Sequence, residues 1–110
     1  MKRDISLFID DILDSIKNIE EFSLHLDREK FFEDILRQSA IIRQLEVIGE
    51  AVKNVPDSFR KKYPKIPWKD IAGFRDILSH AYFGVNMNRV WNIVEKDLPI
   101  LREEIKRIKN

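Results

Sequence analysis

Residues 5–19 read ISLFIDDILDSIKNI and carry the clearest periodic pattern in the chain. The isoleucines of this stretch recur at spacings of three and four residues, which is the period of one face of an α-helix. They are Ile5, Ile9, Ile12, Ile16 and Ile19. Aspartates and other polar side chains separate them, so the pattern predicts an amphipathic helix from about residue 3 to residue 25 with its apolar stripe facing a core.

A second long helix is predicted to follow, with Asp27 as its N-cap and Pro56 as its end. Between residues 56 and 69 three prolines interrupt regular structure, and a single helical turn is expected at 57–62 because Pro56 and Asp57 suit a helix start. This stretch also contains Phe59, Tyr63 and Trp68. Because these rings are large and apolar, we expect the stretch to lie against the body of the protein.

Two further helices complete the predicted fold. Asp70 is the expected N-cap of a third helix that runs to about Phe83 and stops at Gly84. Asn86 or Asn88 is the expected cap of a fourth, which a later proline at position 99 should kink or split. With no strand alternation and no internal repeat, the sequence predicts an all-α fold, an antiparallel bundle of four or five helices.

Composition limits the class of protein further. A length of 110 residues supports one domain over 1–110, and 44% apolar against 35% charged residues favours amphipathic helices over disorder. The chain has no cysteine and only His25 and His80, which excludes disulfides, thiolate metal sites and a cysteine nucleophile. We see no metal site and no required cofactor. No targeting segment or membrane-spanning run is visible, so a cytoplasmic location is expected.

The charge is unevenly distributed along the chain. The whole sequence has 20 Lys and Arg against 19 Asp and Glu, yet residues 53–69 contain six basic side chains and Asp57 alone as an acid. Such a segment can attract a polyanion, although a solvated loop with lysines is the simpler interpretation.

The segment GFRDILSHAY at 73–82 concentrates the side chains suited to chemistry. Arg75 offers a permanent forked cation that matches phosphate oxygens, and His80 can take or give a proton near neutral pH. Asp76, four residues before His80, can orient the imidazole. Ser79 could donate to a phosphate, although a helical serine usually bonds its own backbone. Tyr82 projects from nearly the same side as Arg75, with a buried tyrosine as the alternative.

One geometric difficulty concerns Arg75 and His80. They are five residues apart, roughly 140° around an ideal helix, so they do not share one face. Either the helix loosens near Ser79, or the long arginine side chain closes the gap, or a second subunit completes the cleft.

The run RDILSHAY at 75–82 resembles the R-x4-H-x-Y motif of HEPN domains, in particular the HepT-type toxins of HEPN/MNT (type VII) toxin–antitoxin pairs. The stretches at 43–56, 66–86 and 90–101 are similar to the same branch and occur in the same order. The resemblance covers essentially the whole chain. One departure is Asp76, where relatives often have asparagine; a carboxylate orients histidine more strongly but repels RNA phosphate.

The resemblance implies a fold, an activity and partners. It implies an α-helical homodimer whose two motifs face each other across a shared cleft, and a metal-independent ribonuclease with Arg75 and His80 as catalytic residues. It also implies a nucleotidyltransferase antitoxin of the MNT type that attaches AMP to Tyr82 and so silences the toxin. RNA is then the substrate, and neither a membrane nor a cofactor is involved.

Other candidate residues favour structural roles. His25 is expected at a surface or helix-cap position, and Trp68 and Trp91 are expected in the core rather than stacked on bases. Glu46 and Glu50, four residues apart, could bind a cation but are expected in a solvated or dimer-contact position.

Two other functions stay open at this point. The chain could be a non-catalytic module that binds a nucleotidyltransferase or its nucleotide, with Arg75 and His80 serving recognition only. A purely structural dimer is less favoured, because a helical core has no need of an arginine, a histidine and a tyrosine in this arrangement.

Overall fold

The computed structural model describes residues 4–74 and 86–109 of the chain. Within these two ranges the protein is helical and contains no β-strand, which confirms the all-α prediction. The described α-helices are α1 (Ile5–Phe22), α2 (Arg28–Glu33), α3 (Ile35–Lys53), α4 (Asp57–Arg60), α5 (Trp68–Ala72), α6 (Met87–Asn92) and α7 (Leu98–Lys109), with a π-helical turn (Ile93–Asp97) between α6 and α7. None of these described helices is long and apolar enough to cross a membrane.

Helix α1 forms one side of the core, as its periodicity predicts. Asp4 caps it by accepting a hydrogen bond from the backbone N–H of Ser6 at 2.9 Å. Its buried face packs along α3 and also contacts α7. The apolar side chains buried on α1 and α3 are Ile9, Ile12, Ile16, Ile19, Ile41, Leu45, Ile48, Ala51 and Val52.

The end of α1 comes earlier than predicted. The helix stops at Phe22, and the backbone N–H of Ser23 bonds to the carbonyl of Ile19 at 2.9 Å. His25 is exposed and has a φ of 65°. That left-handed conformation is uncommon for a residue with a β-carbon, and it turns the chain away from the helix. The expected surface position of His25 at a helix end is therefore confirmed.

The predicted single helix between Asp27 and Pro56 is wrong in one respect, since it is two helices that break at Asp34. Asp34 has a non-helical backbone (φ −107°, ψ 87°), and its carboxylate accepts from the backbone N–H of Arg37 at 2.9 Å. Gln38 donates to the carbonyls of Phe31 and Phe32 at 2.9 and 3.1 Å. These side-chain bonds satisfy backbone groups at both helix ends, so the break leaves few polar groups unpaired.

The predicted cap at Asp27 and the predicted turn after Pro56 are confirmed. The Asp27 carboxylate accepts from the backbone N–H of Lys30 at 2.9 Å. Pro56 occupies the N-cap position of the short helix α4, where its missing N–H costs nothing. In the stretch that follows, Trp68 is buried and Phe59 and Tyr63 are partly buried, so this irregular segment does lie against the body.

The helix around Pro99 accommodates the proline through a wider turn. The backbone N–H of Leu98 donates to the carbonyl of Ile93, a spacing of five residues instead of four. Proline has no N–H, and its ring clashes with the carbonyl four residues earlier in a regular helix. The π-helical turn directly before Pro99 relieves that conflict, which is the form taken by the predicted kink.

The Asp34 cap gives a pH-dependent prediction. The hydrogen bond from the backbone N–H of Arg37, and then that from its guanidinium, lower the pKa of the Asp34 carboxyl below its usual 3.8. A group with a lowered pKa in the folded state stabilises the fold above its unfolded pKa, and this contribution is lost as pH falls through the folded pKa. We expect Asp34→Ala to reduce the free energy of unfolding most at about pH 6 and progressively less below about pH 4.

Denaturant unfolding at a series of pH values measures this difference. The control is Asp34→Asn, which keeps a capping oxygen but does not titrate. The difference in free energy of unfolding between Asp34→Asn and Asp34→Ala should stay nearly constant with pH. If the difference in free energy of unfolding between the parent and Asp34→Ala is also independent of pH, the stabilising role of the ionised Asp34 cap is wrong.

Candidate functional site

The motif predicted to carry the chemistry lies outside the described residues. This holds for all five of its candidate side chains, Arg75, Asp76, Ser79, His80 and Tyr82. The predicted C-terminal stop of the third helix at Gly84 also falls there. The structure does describe the two segments that flank the motif in the sequence. Helix α5, with Gly73 and Phe74, precedes the motif, and α6 follows it.

On the upstream side, α5 begins three residues earlier than predicted. Pro67 stands at its N-cap position, and Asp70 lies in its first turn instead of capping it. The prediction of Asp70 as N-cap is therefore wrong: α5 starts directly after Pro67, whose ring fixes φ near the helical value, and no side chain caps it. Ile71 and Phe74 are buried, so the chain enters residue 75 from a position fixed in the core.

Trp68 anchors α5 to the preceding loop. Its side chain is 7% exposed, and its indole N–H is shared between the carbonyls of Arg60 at 3.2 Å and Tyr63 at 3.1 Å. Its ring also lies edge-on to Phe59, with centroids 6.5 Å apart. The expectation that Trp68 is a core residue is confirmed, and its polar edge holds the loop in place.

On the downstream side, Asn86 begins α6. Its side-chain oxygen accepts from the backbone N–H of Arg89 at 3.3 Å, so of the two predicted caps Asn86 is the correct one. Val90 and Trp91 are buried. Trp91 stacks obliquely on Phe31 of α2, with centroids 5.2 Å apart, and its indole N–H donates to Glu95 at 3.1 Å. The predicted core position of Trp91 is confirmed.

Arg28 links α6 to a helix far away in the sequence. One terminal nitrogen of its guanidinium donates to the side-chain oxygen of Asn88, and the other donates to that of Asn92 at 3.0 Å. Asn88 and Asn92 are four residues apart and so lie on one face of α6. The rigid fork of arginine suits two such acceptors at once.

This contact could not be predicted from the sequence, because no local pattern links Arg28 to residues 60 and 64 positions later. The only available signal was the pair of asparagines at a helical spacing. The effect of the contact is clear from its position, since it fixes the helix that receives the chain from the motif.

The remaining candidate residues do not form a metal site in the described part of the chain. No group of three or more His, Cys, Asp or Glu there could hold an ion. Of the carboxylate pair considered above, Glu46 forms an exposed ion pair with Arg43 at 3.2 Å, which fits the predicted solvated position. Glu50 is half-buried on the same helix.

Most of the chain matches a known protein family. Residues 12–108 match the HepT-like family, described as "Ribonuclease HepT-like". This match includes most of both described ranges and the motif between them. No solved structure matches the chain.

Several curated proteins are similar along nearly the whole chain. A Thermococcus cleftensis protein named "Probable ribonuclease HepT" is 42% identical over 109 residues, covering 99% of each chain. A "Putative RNase" of Caldanaerobacter subterraneus is 43% identical over 101 residues, covering 92% of this chain and 90% of its own. A Methanocaldococcus jannaschii protein named "Gamma-glutamylcyclotransferase and putative RNase" is 46% identical over 108 residues. The aligned region covers 98% of this chain but only 49% of the Methanocaldococcus jannaschii protein, so this chain spans about half the length of that relative.

The all-α fold of the described residues is what the resemblance to HEPN domains predicts. The family match and the identities establish it: the chain belongs to the HepT-like ribonuclease family.

The contact between Arg28 and α6 yields a second prediction. We expect Arg28→Ala to lower the free energy of unfolding by about 1 kcal/mol, because the two exposed amide oxygens regain water when the guanidinium is removed. We also expect faster amide hydrogen exchange in residues 86–92, since α6 loses its link to α2. Exchange followed by mass spectrometry, together with denaturant unfolding, measures both effects.

The matched control is Arg43→Ala. It removes an exposed arginine and the ion pair with Glu46, which should contribute close to nothing. If both variants show the same exchange in residues 86–92, the anchoring role of Arg28 is wrong.

Proposed function

We propose that this chain is a single-domain ribonuclease toxin that cleaves cytoplasmic RNA without a metal ion. The observation that carries the proposal is the match of residues 12–108 to the HepT-like ribonuclease family, with the R-x4-H-x-Y motif inside it at 75–82. The names of the similar proteins, which include "Probable ribonuclease HepT", point to the same activity.

The proposed reaction uses a nucleophile that RNA itself supplies. The 2′-hydroxyl attacks the adjacent phosphorus, a new O–P bond forms, and the bond from phosphorus to the 5′-oxygen breaks. His80 takes the proton from the 2′-hydroxyl as general base or gives one to the departing 5′-oxygen as general acid. With two motifs in one cleft, each role can fall to one subunit. No metal-bound water is needed, because the attacking oxygen is already in place.

The neighbouring residues have supporting roles in this proposal. Arg75 binds the phosphate and stabilises the charge that grows on its non-bridging oxygens. Asp76 accepts a hydrogen bond from the imidazole and so fixes its tautomer. Ser79 is a further candidate contact to phosphate.

The proposal includes a homodimer and a protein partner. An ideal helix would put Arg75 and His80 on different faces, and a shared cleft would let side chains of both kinds act on one phosphate. Closed twofold symmetry is also the most common form of oligomer. The partner is a nucleotidyltransferase antitoxin that adenylylates Tyr82.

Substitution of the two central residues tests the activity. We expect Arg75→Ala and His80→Ala each to abolish cleavage of a fluorescent RNA, because one removes the phosphate contact and the other the proton transfer. Addition of EDTA should leave the parent activity unchanged. Light scattering on the same samples should give the mass of two chains, which shows that lost activity is not lost assembly.

Arg43→Ala is the control, since it removes an arginine from the exposed surface of α3. Activity that disappears with EDTA and returns with Mg²⁺ would overturn the mechanism. An inactive parent protein that still binds a nucleotidyltransferase would favour the non-catalytic binding module instead.

Tyr82 provides a separate test of the proposed regulation. AMP attached to its hydroxyl places a phosphate near Arg75 and a base where RNA must lie, so activity should be lost without unfolding. Intact-mass spectrometry after co-expression with the cognate nucleotidyltransferase should show AMP on the parent and none on Tyr82→Phe. Full neutralisation with an unmodified Tyr82 would show that the partner acts by binding alone.

A further inference from the structure

The loop between α4 and α5 presents an exposed basic surface. Lys61, Lys62 and Lys65 are all exposed, and no carboxylate occurs among residues 58–69. We call these three residues the lysine triad. A cluster of one sign of charge on an ordered surface attracts a polyanion more strongly than the same charges spread over the chain.

Arg60, which adds to the same basic run, serves a different purpose. Its guanidinium donates to the carbonyl of Val55 at 3.0 Å and to that of Val52 at 2.6 Å, near the C-terminal end of α3. Its cation therefore lies near the negative end of the α3 dipole, where it bonds to one carbonyl of the last helical turn and to one just after the helix. This contact fixes the start of the loop to α3.

The rest of the loop is ordered by backbone bonds and by Trp68. The backbone N–H groups of Lys61, Lys62 and Tyr63 donate to carbonyls three or four residues earlier, at 3.0 to 3.1 Å. The buried indole of Trp68 bonds to the carbonyls of Arg60 and Tyr63. Despite its two prolines, the segment is thus a fixed platform, and a ligand that binds to it loses little free energy in ordering it.

An aromatic side chain lies within the lysine triad. Tyr63 is partly exposed and packs on Phe59, with ring centroids 5.1 Å apart. Phe59 in turn contacts the buried Trp68. The Tyr63 ring therefore packs on a supporting aromatic pair, and Tyr63 as a residue remains partly exposed.

We propose that the lysine triad and Tyr63 form a contact site for single-stranded RNA, with the lysines binding successive phosphates and the tyrosine ring stacking on a base. Basic side chains with an interleaved, rigidly supported aromatic ring are the combination that binds unpaired strands. The site rests on the proposed ribonuclease function, which it deepens: α5 leads from it towards the proposed catalytic motif, and Phe74, the residue before that motif, lies nine positions after Lys65.

The chemistry of the proposed reaction also favours an unpaired strand. Attack by a 2′-hydroxyl requires that oxygen to align opposite the leaving 5′-oxygen, and a paired A-form helix holds the two out of line. A surface that selects flexible strands would supply substrate able to reach that alignment.

Binding to a strand that cannot be cleaved tests the site independently of catalysis. The probe is a fluorescein-labelled 12-nucleotide 2′-O-methyl RNA, which lacks the attacking hydroxyl, measured by fluorescence anisotropy over a range of salt. The variant replaces Lys61, Lys62 and Lys65 with glutamine. We expect the slope of log K against log salt to become less steep by about 2, because three phosphate contacts on a single strand are lost.

The matched control replaces Lys17, Lys96 and Lys106 with glutamine, which makes the same change in net charge on exposed positions of other helices. This control should retain nearly the full slope. If both triple variants lose the same amount of salt slope, only net charge attracts RNA, and the proposed site is wrong.

Substitutions at Tyr63 test the stacking contact. Tyr63→Leu keeps an apolar side chain against Phe59 but removes the aromatic face, so binding should weaken about fivefold or more, with an unchanged salt slope. Tyr63→Phe keeps the ring and should bind as the parent does. If the Tyr63→Leu and Tyr63→Phe variants bind the probe equally well, the stacking contact is contradicted. It is also contradicted if a 12-base-pair RNA duplex binds as tightly as the single strand.

The results separate this site from the ribonuclease proposal. Lysine-dependent binding of the probe by a protein that cuts no RNA would refute the activity and keep the site. Cleavage with unchanged kcat and KM in the lysine triple variant would refute the site and keep the activity. Loss of binding to an acidic peptide but not to the probe would identify the surface as a protein contact and overturn the proposal.

Discussion

The apolar seam between α1 and α3 is the contact on which the other helices depend. Four isoleucines of α1 pack along α3, and a fully buried side chain of this kind contributes roughly 1.5–3 kcal/mol relative to an exposed one. Helices α5 and α6, with five and six residues, are too short to be stable alone. α5 packs on α3 directly, and α6 reaches it through α2. The two segments that lead into and out of the motif therefore take their positions from the seam.

The seam could be predicted from the sequence because it depends on the spacing of apolar residues. Helix breaks were harder to predict. Asp34 lies in a segment with helical periodicity, and an aspartate there reads equally well as an exposed helical residue or as a cap. The outcome depends on Gln38, which pairs with the end carbonyls of α2, and on the bonds from Arg37. Such contacts form only after the chain has turned, so the apolar period does not reveal them.

In the candidate site, too, some features could be predicted from the sequence and others could not. The chemistry proposed for Arg75 and His80 rests on residue type and on the resemblance to HEPN domains, and the family match establishes the family but not these roles. The surroundings of the motif do not follow from the sequence. Arg28 meets Asn88 and Asn92 across more than half of the chain, which neither spacing nor composition indicates. Long-range polar contacts of this kind depend on the finished fold.

The basic segment shows why charge counts alone mislead. Arg60 and the neighbouring lysines contribute equally to the net charge, yet they differ in what they can bind. A planar guanidinium with several fixed donors suits two backbone carbonyls, and Arg60 bonds to two at the end of α3. A lysine is a hydrated point charge on a flexible stem, and Lys61 and Lys62 keep theirs in solvent. The arginine thus orders the loop that the lysines need, because charges on a fixed platform meet successive phosphates at a lower entropic cost than charges on a mobile chain.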